Sequence, residues 1–171
     1  DGDELAAAVD VALRIDDEVL VERHVAGVEV QVAIVDGQVL GAAEVNAEGG
    51  PLLDFAGQKS GARATFIPPR LGHDRLRGVL TQALRAHHLL GCEGATRVDV
   101  VVSERGNEHI LEVDCAPDLA AGALLPKIAH AARLPFPALV QRILDGARLH
   151  ANRRMRERRE MQLPLATADR R

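Results

Sequence analysis

Aromatic side chains are almost missing from this chain: among 171 residues there are three Phe and neither Trp nor Tyr. Recognition of single-stranded nucleic acid by stacking needs exposed rings, so that function class is disfavoured from the start. Lysine is nearly missing as well, with only Lys59 and Lys127 beside an abundance of Arg. The two cysteines, Cys92 and Cys115, form no CxxC pair, so nothing suggests a disulfide framework or a zinc knuckle, and they read as inert small residues. No long apolar run and no signal-peptide pattern is present, so the expected setting is a reducing cytoplasm with no membrane partner.

What is present is small and aliphatic. The hydrophobic share is 47%, supplied mainly by Ala, Val and Leu. The length permits one domain with its own core. The formal net charge of −4 is unevenly spread: residues 151–171 hold seven Arg against Glu157, Glu160 and Asp169, a balance of +4, and the rest of the chain carries −8. An acidic body is a poor duplex binder, and an acidic site that handles phosphates needs a metal to neutralise them. The Arg153–Arg159 cluster reads as a solvated helix or tail.

Periodicity predicts a helix from Asp3 to Ile15 with Leu5, Ala8, Val9, Ala12 and Leu13 on one face. A short strand is expected from Val19 to Val25. Residues Val28 to Ile34 alternate at period two, then Asp36-Gly37 gives a strong hairpin signal, and Gln38 to Val45 returns. A two-residue turn puts Val28, Val30, Val32 and Ile34 on a core face with Val39, Gly41, Ala43 and Val45, leaving Glu29, Gln31 and Glu44 opposite. Asn46 to Leu71 reads as a long loop, which in a compact domain is usually functional or disordered. A helix follows from Asp74 to Leu90, with Leu76, Val79, Leu80, Ala83, Leu84 and Leu90 inward, His87 and His88 solvent-facing or capping, and Gly91 as the cap. A second hairpin, Ala95–Ser103 and Glu108–Asp114, turns at Arg105-Gly106. Helices are expected over Ala123–Arg133 and Pro137–His150. Hairpins dominate, so the fold class is α+β, a largely antiparallel sheet with packed helices.

The second hairpin carries the chemistry. Val98, Val100, Val102, Leu111 and Val113 share an apolar face, and Arg97, Asp99, Glu112 and Asp114 share the other. The expected turn places Asp99 across from Glu112 and Arg97 across from Asp114. Two carboxylates at ~5 Å and an effective dielectric of about 20 repel by roughly 3 kcal/mol. Two readings stay open: a divalent cation that offsets the repulsion, or a solvated face on which Arg97 pairs Asp114 and nothing binds.

The segment GCEGATRVDVVVSERGNEHILEVDCAPDLAAGALLP resembles the part of D-alanine–D-alanine ligases that reads G-C-x-G-x-x-R-x-D, a hairpin, then L-E-x-N-x-x-P-G. DDEVLVERHVAGVEVQVAIVDG resembles their hinge and following strand, and LPFPALVQRILDGARLHA their final helix. The resemblance runs in order through residues 1–150, with 151–171 as an Arg-rich tail beyond it. It implies the C-terminal lobe of an ATP-grasp fold, ATP-dependent carboxylate–amine ligation through an acyl phosphate, ATP and Mg²⁺ (or Mn²⁺) as cofactors, an amino-acid substrate such as D-alanine, and a homodimer of the intact protein. By the same resemblance Asp99, Glu112 and Asp114 are metal ligands, and Arg97 stabilises the acyl-phosphate and tetrahedral species. Glu22, Arg23, His24 and Val25 meet the adenine, Glu29 holds the ribose, and Lys59 contacts phosphate.

Several positions depart from the pattern. Asp114 stands where the family has Asn. Asp118 stands for a Gly and Ala123 for a substrate-contacting Ser, and the lid tyrosines are absent. The family's N-terminal domain and first ATP-grasp lobe have no counterpart here. These departures keep two alternatives in view: a degenerate, non-catalytic binding domain, or a ligase for another amino acid or peptide.

Overall fold

The computed structural model describes residues 2–47 and 63–148. Five strands, β1 (Gly27–Val35), β2 (Gln38–Ala47), β3 (Arg63–Phe66), β4 (Ala95–Ser103) and β5 (Glu108–Asp114), form one sheet in the order β3-β2-β1-β4-β5. Every pairing is antiparallel. The helices are α1 (Gly2–Ala12), α2 (His73–Leu89), α3 (Leu124–Ala131) and α4 (Phe136–Gly146). Among the described residues no helix is long and apolar enough to cross a membrane.

The sheet has helices on both faces. On one side, Val30, Val32, Ile34, Ala42, Val98, Val100 and Val102 pack with Val79 and Ala83 of α2. On the other, Ala33 and Ala43 pack with Leu125 and Ile128 of α3, and Val35 with Ala129 of α3 and Leu139 of α4. β-Branched residues fill the strands of the core, which suits a chain with few large rings. Gly27 opens β1 where backbones come close: a Cβ there would run into the Val102 carbonyl of β4. Gly27→Ala is expected to destabilise the fold by about 1–3 kcal/mol, as overpacking does, visible as a lower urea midpoint; an unchanged midpoint would mean β1 and β4 can part here at no cost.

The first hairpin turns at Asp36-Gly37 as expected, both residues having positive φ (51 and 68), the signature of a type I′ turn. Its register then slips. Ile34 pairs with Val39 but Ala33 pairs with Gly41, so Leu40 is an extra residue on β2. This bulge moves Ala42 and Glu44 to the α2 side and Ala43 and Val45 to the other, correcting the expected faces. Glu44 is therefore buried rather than presented outward. It accepts hydrogen bonds from the Arg70 backbone N–H (2.8 Å) and side chain (2.5 Å), and that guanidinium lies 3.6 Å from the centre of the Phe66 ring. The Arg70 hydrogen bond holds the Glu44 carboxyl below its ordinary pKa against the opposing effect of burial.

Other expectations shift too. Residues 19–25 form no strand, and β3 was missed inside the expected Asn46–Leu71 loop, because four residues give no measurable period. α1 ends at Ala12, and none of its residues is buried. Leu90 caps α2 and is exposed. Beyond it, Gly91 (φ 64) donates its N–H to the His88 carbonyl and Cys92 to the His87 carbonyl, a Schellman closure. His87 is 1% exposed, not solvent-facing, and its Nδ1 lies 2.9 Å from Thr96 Oγ1. Burial, with some help from His88, lowers its pKa. Unfolding frees the imidazole to take a proton near its ordinary 6.5, so the unfolded state binds more protons in acid and stability falls as pH drops from about 6.5 toward the lower folded value. His87→Gln is expected to flatten the fall in urea midpoint between about pH 7.5 and about pH 5.5; a slope identical to that of the parent would assign the effect elsewhere.

Candidate active-site face

Glu29, Gln31, Arg97, Asp99, Glu112 and Asp114 come together on one sheet face, beside the part covered by α3 and α4. Strand alternation places them: odd positions of β1 and β4 look the same way as Glu112 and Asp114 of β5. Arg97 lies opposite Asp114 and Asp99 opposite Glu112, as expected from the sequence. Two departures that cancel produce this agreement. The hairpin closes one residue earlier on β4, with the Ser103 N–H bonded to the Asn107 carbonyl at 2.9 Å and Gly106 at φ 85. A bulge at Leu111 then restores the register, since Val100 pairs with Ile110 while Asp99 pairs with Glu112. The bulge also explains why Leu111 is exposed and not part of the apolar face.

Arg97 is the hub. Its Nε donates to Asp99 Oδ1 at 2.8 Å, its Nη2 to Glu112 Oε1 at 2.6 Å, and its Nη1 lies 3.2 Å from Asp114 Oδ2. Asp99 is 7% exposed and Gln31 5%. Gln31 Nε2 donates to Asp99 Oδ2 at 3.1 Å, so the buried carboxylate is held from two sides. Gln31 had no role in the sequence reading. Its pairing with Asp99 joins strands that no hairpin connects, and no local pattern announces that.

The electrostatics are opposed. Burial pushes the Asp99 carboxyl up, Arg97 pulls it down by hydrogen bond and charge, and Glu112 pushes it up again, leaving it above the ordinary range. For Arg97, burial works against the charge, but Asp99, Asp114 and Glu112 together outweigh it and the pKa is raised. An acid whose folded pKa is raised gives up stability as it ionises: the loss is absent below the ordinary 3.8 and complete above the folded value. Among the described residues no three His, Cys, Asp or Glu side chains stand ready to hold a metal ion. The three carboxylates are gathered around Arg97, and the Arg97–Asp114 pair is one of these contacts.

The remaining residues lie apart. Glu22, Arg23, His24 and Val25 occupy the irregular segment before β1. Glu29 is half-buried, between Val45 and Val101 in register. Lys59 and the 151–171 tail lie outside the described residues. Asp118 is exposed, and its Oδ1 accepts the Ala120 N–H at 2.7 Å, so its carboxylate tightens the loop before α3. Ala123 is the N-cap of α3, in extended geometry without a side-chain cap. Ala123→Ser is expected to raise stability by about 1 kcal/mol, because a hydroxyl there reaches a free helix N–H. A thermal-shift measurement checks it, and no gain would mean that water already caps that end.

The sheet face thus bears a fixed guanidinium among acids and is half roofed by helices. The sequence profile of the family "D-ala D-ala ligase C-terminus" matches residues 1–145. The chain is 44% identical over 135 residues to the D-alanine–D-alanine ligase of Anaeromyxobacter sp. strain K, covering 78% of this chain and 44% of that protein. It is 43% identical over 148 residues to that of Pelobacter propionicus, covering 85% and 47%. The crystal structure of the Bacillus anthracis D-alanine–D-alanine ligase complexed with ATP superposes with a TM-score of 0.74 at 25% identity, covering 94% of this chain and 49% of that one. The fold is that of the C-terminal lobe of an ATP-grasp ligase, α+β as expected. The chain belongs to the D-alanine–D-alanine ligase C-terminal family, and it spans about half the length of the relatives it matches.

Proposed function

We propose that the chain forms one wall of the active site of an ATP-dependent ligase that joins two D-alanines through an acyl phosphate, for peptidoglycan, in the cytoplasm. The observation that carries this reading is the single face holding Glu29, Gln31, Asp99, Arg97, Glu112 and Asp114 in a chain of this family. Mg²⁺ fits the donor set. It takes one or two carboxylates and leaves its other positions to water and phosphate, and Asp99 and Glu112 are opposed oxygen donors whose mutual repulsion a cation would relieve. Asp99 and Glu112, with Asp114 as a third donor, would hold it, and when bound it would neutralise phosphate charge. Mn²⁺ suits the same oxygens.

The chain's own groups have distinct tasks in this reading. Arg97, kept charged by three acids, presents a fixed guanidinium to the negative charge that builds on the acyl phosphate. Gln31 fixes the Asp99 carboxylate. Glu29 accepts from the ribose hydroxyls, and Val45 and Val101 give it an apolar floor. Residues Glu22, Arg23, His24 and Val25 offer backbone groups to adenine, and Lys59 reaches a phosphate. Asp118 and Ala123 stand on the amino-acid side.

The native gene product, given ATP, Mg²⁺ and D-alanine, should release ADP and phosphate with one D-alanyl-D-alanine per ATP. ADP without dipeptide would point to another acceptor. Failure even to bind nucleotide in the presence of Mg²⁺ would favour a second reading, a non-catalytic binding domain, for which the saturation of all three carboxylates by Arg97 speaks.

A further inference from the structure

Cys92 and Cys115 are 23 residues apart in sequence, yet their sulfurs approach to 3.7 Å. We propose that they form a thiol–disulfide site, a reversible intrachain crosslink made by exchange with a small-molecule disulfide such as oxidised glutathione. A disulfide is about 2.05 Å long, so the sulfurs need to close by about 1.7 Å.

Both backbones are pinned where they stand. The Cys92 N–H is bonded to the His87 carbonyl at 3.0 Å in the closure of α2. Cys115 follows the last residue of β5, and the next N–H, that of Ala116, is held by Asp114 Oδ1 at 2.9 Å. The fold therefore presents the two thiols to each other as a fixed pair, and the cost of bringing them together has already been met in folding. Their exposures differ: Cys115 is exposed and Cys92 half-buried. Cys115 meets the reagent first. Its sulfur attacks one sulfur of the glutathione disulfide, the S–S bond breaks, and one glutathione thiol leaves with the proton. The Cys92 sulfur then attacks Cys115, expelling the second glutathione thiol. Two protein thiols are oxidised and one disulfide is reduced to two thiols, so atoms and electrons balance. The inert role expected of both residues is replaced by a redox one.

The test equilibrates the whole chain in mixtures of reduced and oxidised glutathione, folded and in denaturing urea, followed by acid quench, alkylation and trypsin without reduction. In the folded protein, peptides 86–97 and 106–127 should be recovered joined, with an effective thiol concentration about tenfold or more above that in urea. Cys92→Ser should stop at the first step, with glutathione retained on Cys115. Two results would overturn the proposal: parent protein that accumulates the glutathione adduct as the variant does, or an effective concentration no higher folded than unfolded.

Discussion

Arg97→Ala is expected to destabilise the chain by about 3 kcal/mol, and millimolar Mg²⁺ is expected to restore part of that loss. Removing one partner from a buried charge cluster leaves the others uncompensated, which typically costs 3–5 kcal/mol. The lower end applies because Glu112 is 58% exposed and water screens it. Asp99 is the residue left in difficulty: it is buried, faces Glu112 in register and keeps the Gln31 hydrogen bond without a cation beside it. Its carboxyl, already raised, should rise further and take up a proton, which caps the loss in acid and makes it grow as pH climbs through the new value. Urea midpoints with and without MgCl₂ read both effects. If the variant is as stable as the parent, the acids never needed Arg97. If it is weakened and Mg²⁺ does nothing, the cluster is an ion-pair network and not a cation site.

Asp99→Asn should do the reverse to stability and the same to turnover. The amide removes a buried charge that repels Glu112, and its oxygen can still accept from Gln31, so the fold should hold or gain slightly. Ligation by the native gene product should fall by roughly 10²–10³-fold, the scale seen when one pre-organised charge-stabilising group is lost. Arg97→Ala loses turnover and stability together, whereas Asp99→Asn separates them. Turnover close to that of the parent in Asp99→Asn, with normal ADP release, would remove Asp99 from the metal assignment. Measuring kcat and unfolding on the same preparations keeps misfolding from being mistaken for lost chemistry.

The sequence made the sheet legible because its strands alternate cleanly and Asp36-Gly37 announces its own turn. It placed Asp99 against Glu112 correctly although the turn it assumed was wrong, since the shifted turn and the Leu111 bulge cancel. No such cancellation rescues the first hairpin, where the Leu40 bulge carries Glu44 into the core. A bulge is set by packing on both faces, and a single strand's pattern does not contain that information. His87 misled for a similar reason: helix position puts it near an end, but its burial depends on Thr96 from the next strand. The partnership of Arg97 with all three acids was only partly visible, because the sequence supplies the pair across the ladder and not the reach of a guanidinium along it. Residues 19–25 read as strand by composition, yet none of the five strands includes them.

The three acids differ in what they are attached to. Asp99 belongs to β4, which is hydrogen-bonded on both sides, whereas Glu112 and Asp114 ride on β5, the rim of the described sheet. One carboxylate is thus clamped to the frame and two sit on the rim strand. A charge bound among them could change size or position during a reaction cycle with Asp99 as the fixed point, and the adjustment would be made by bending the rim rather than by disturbing the core.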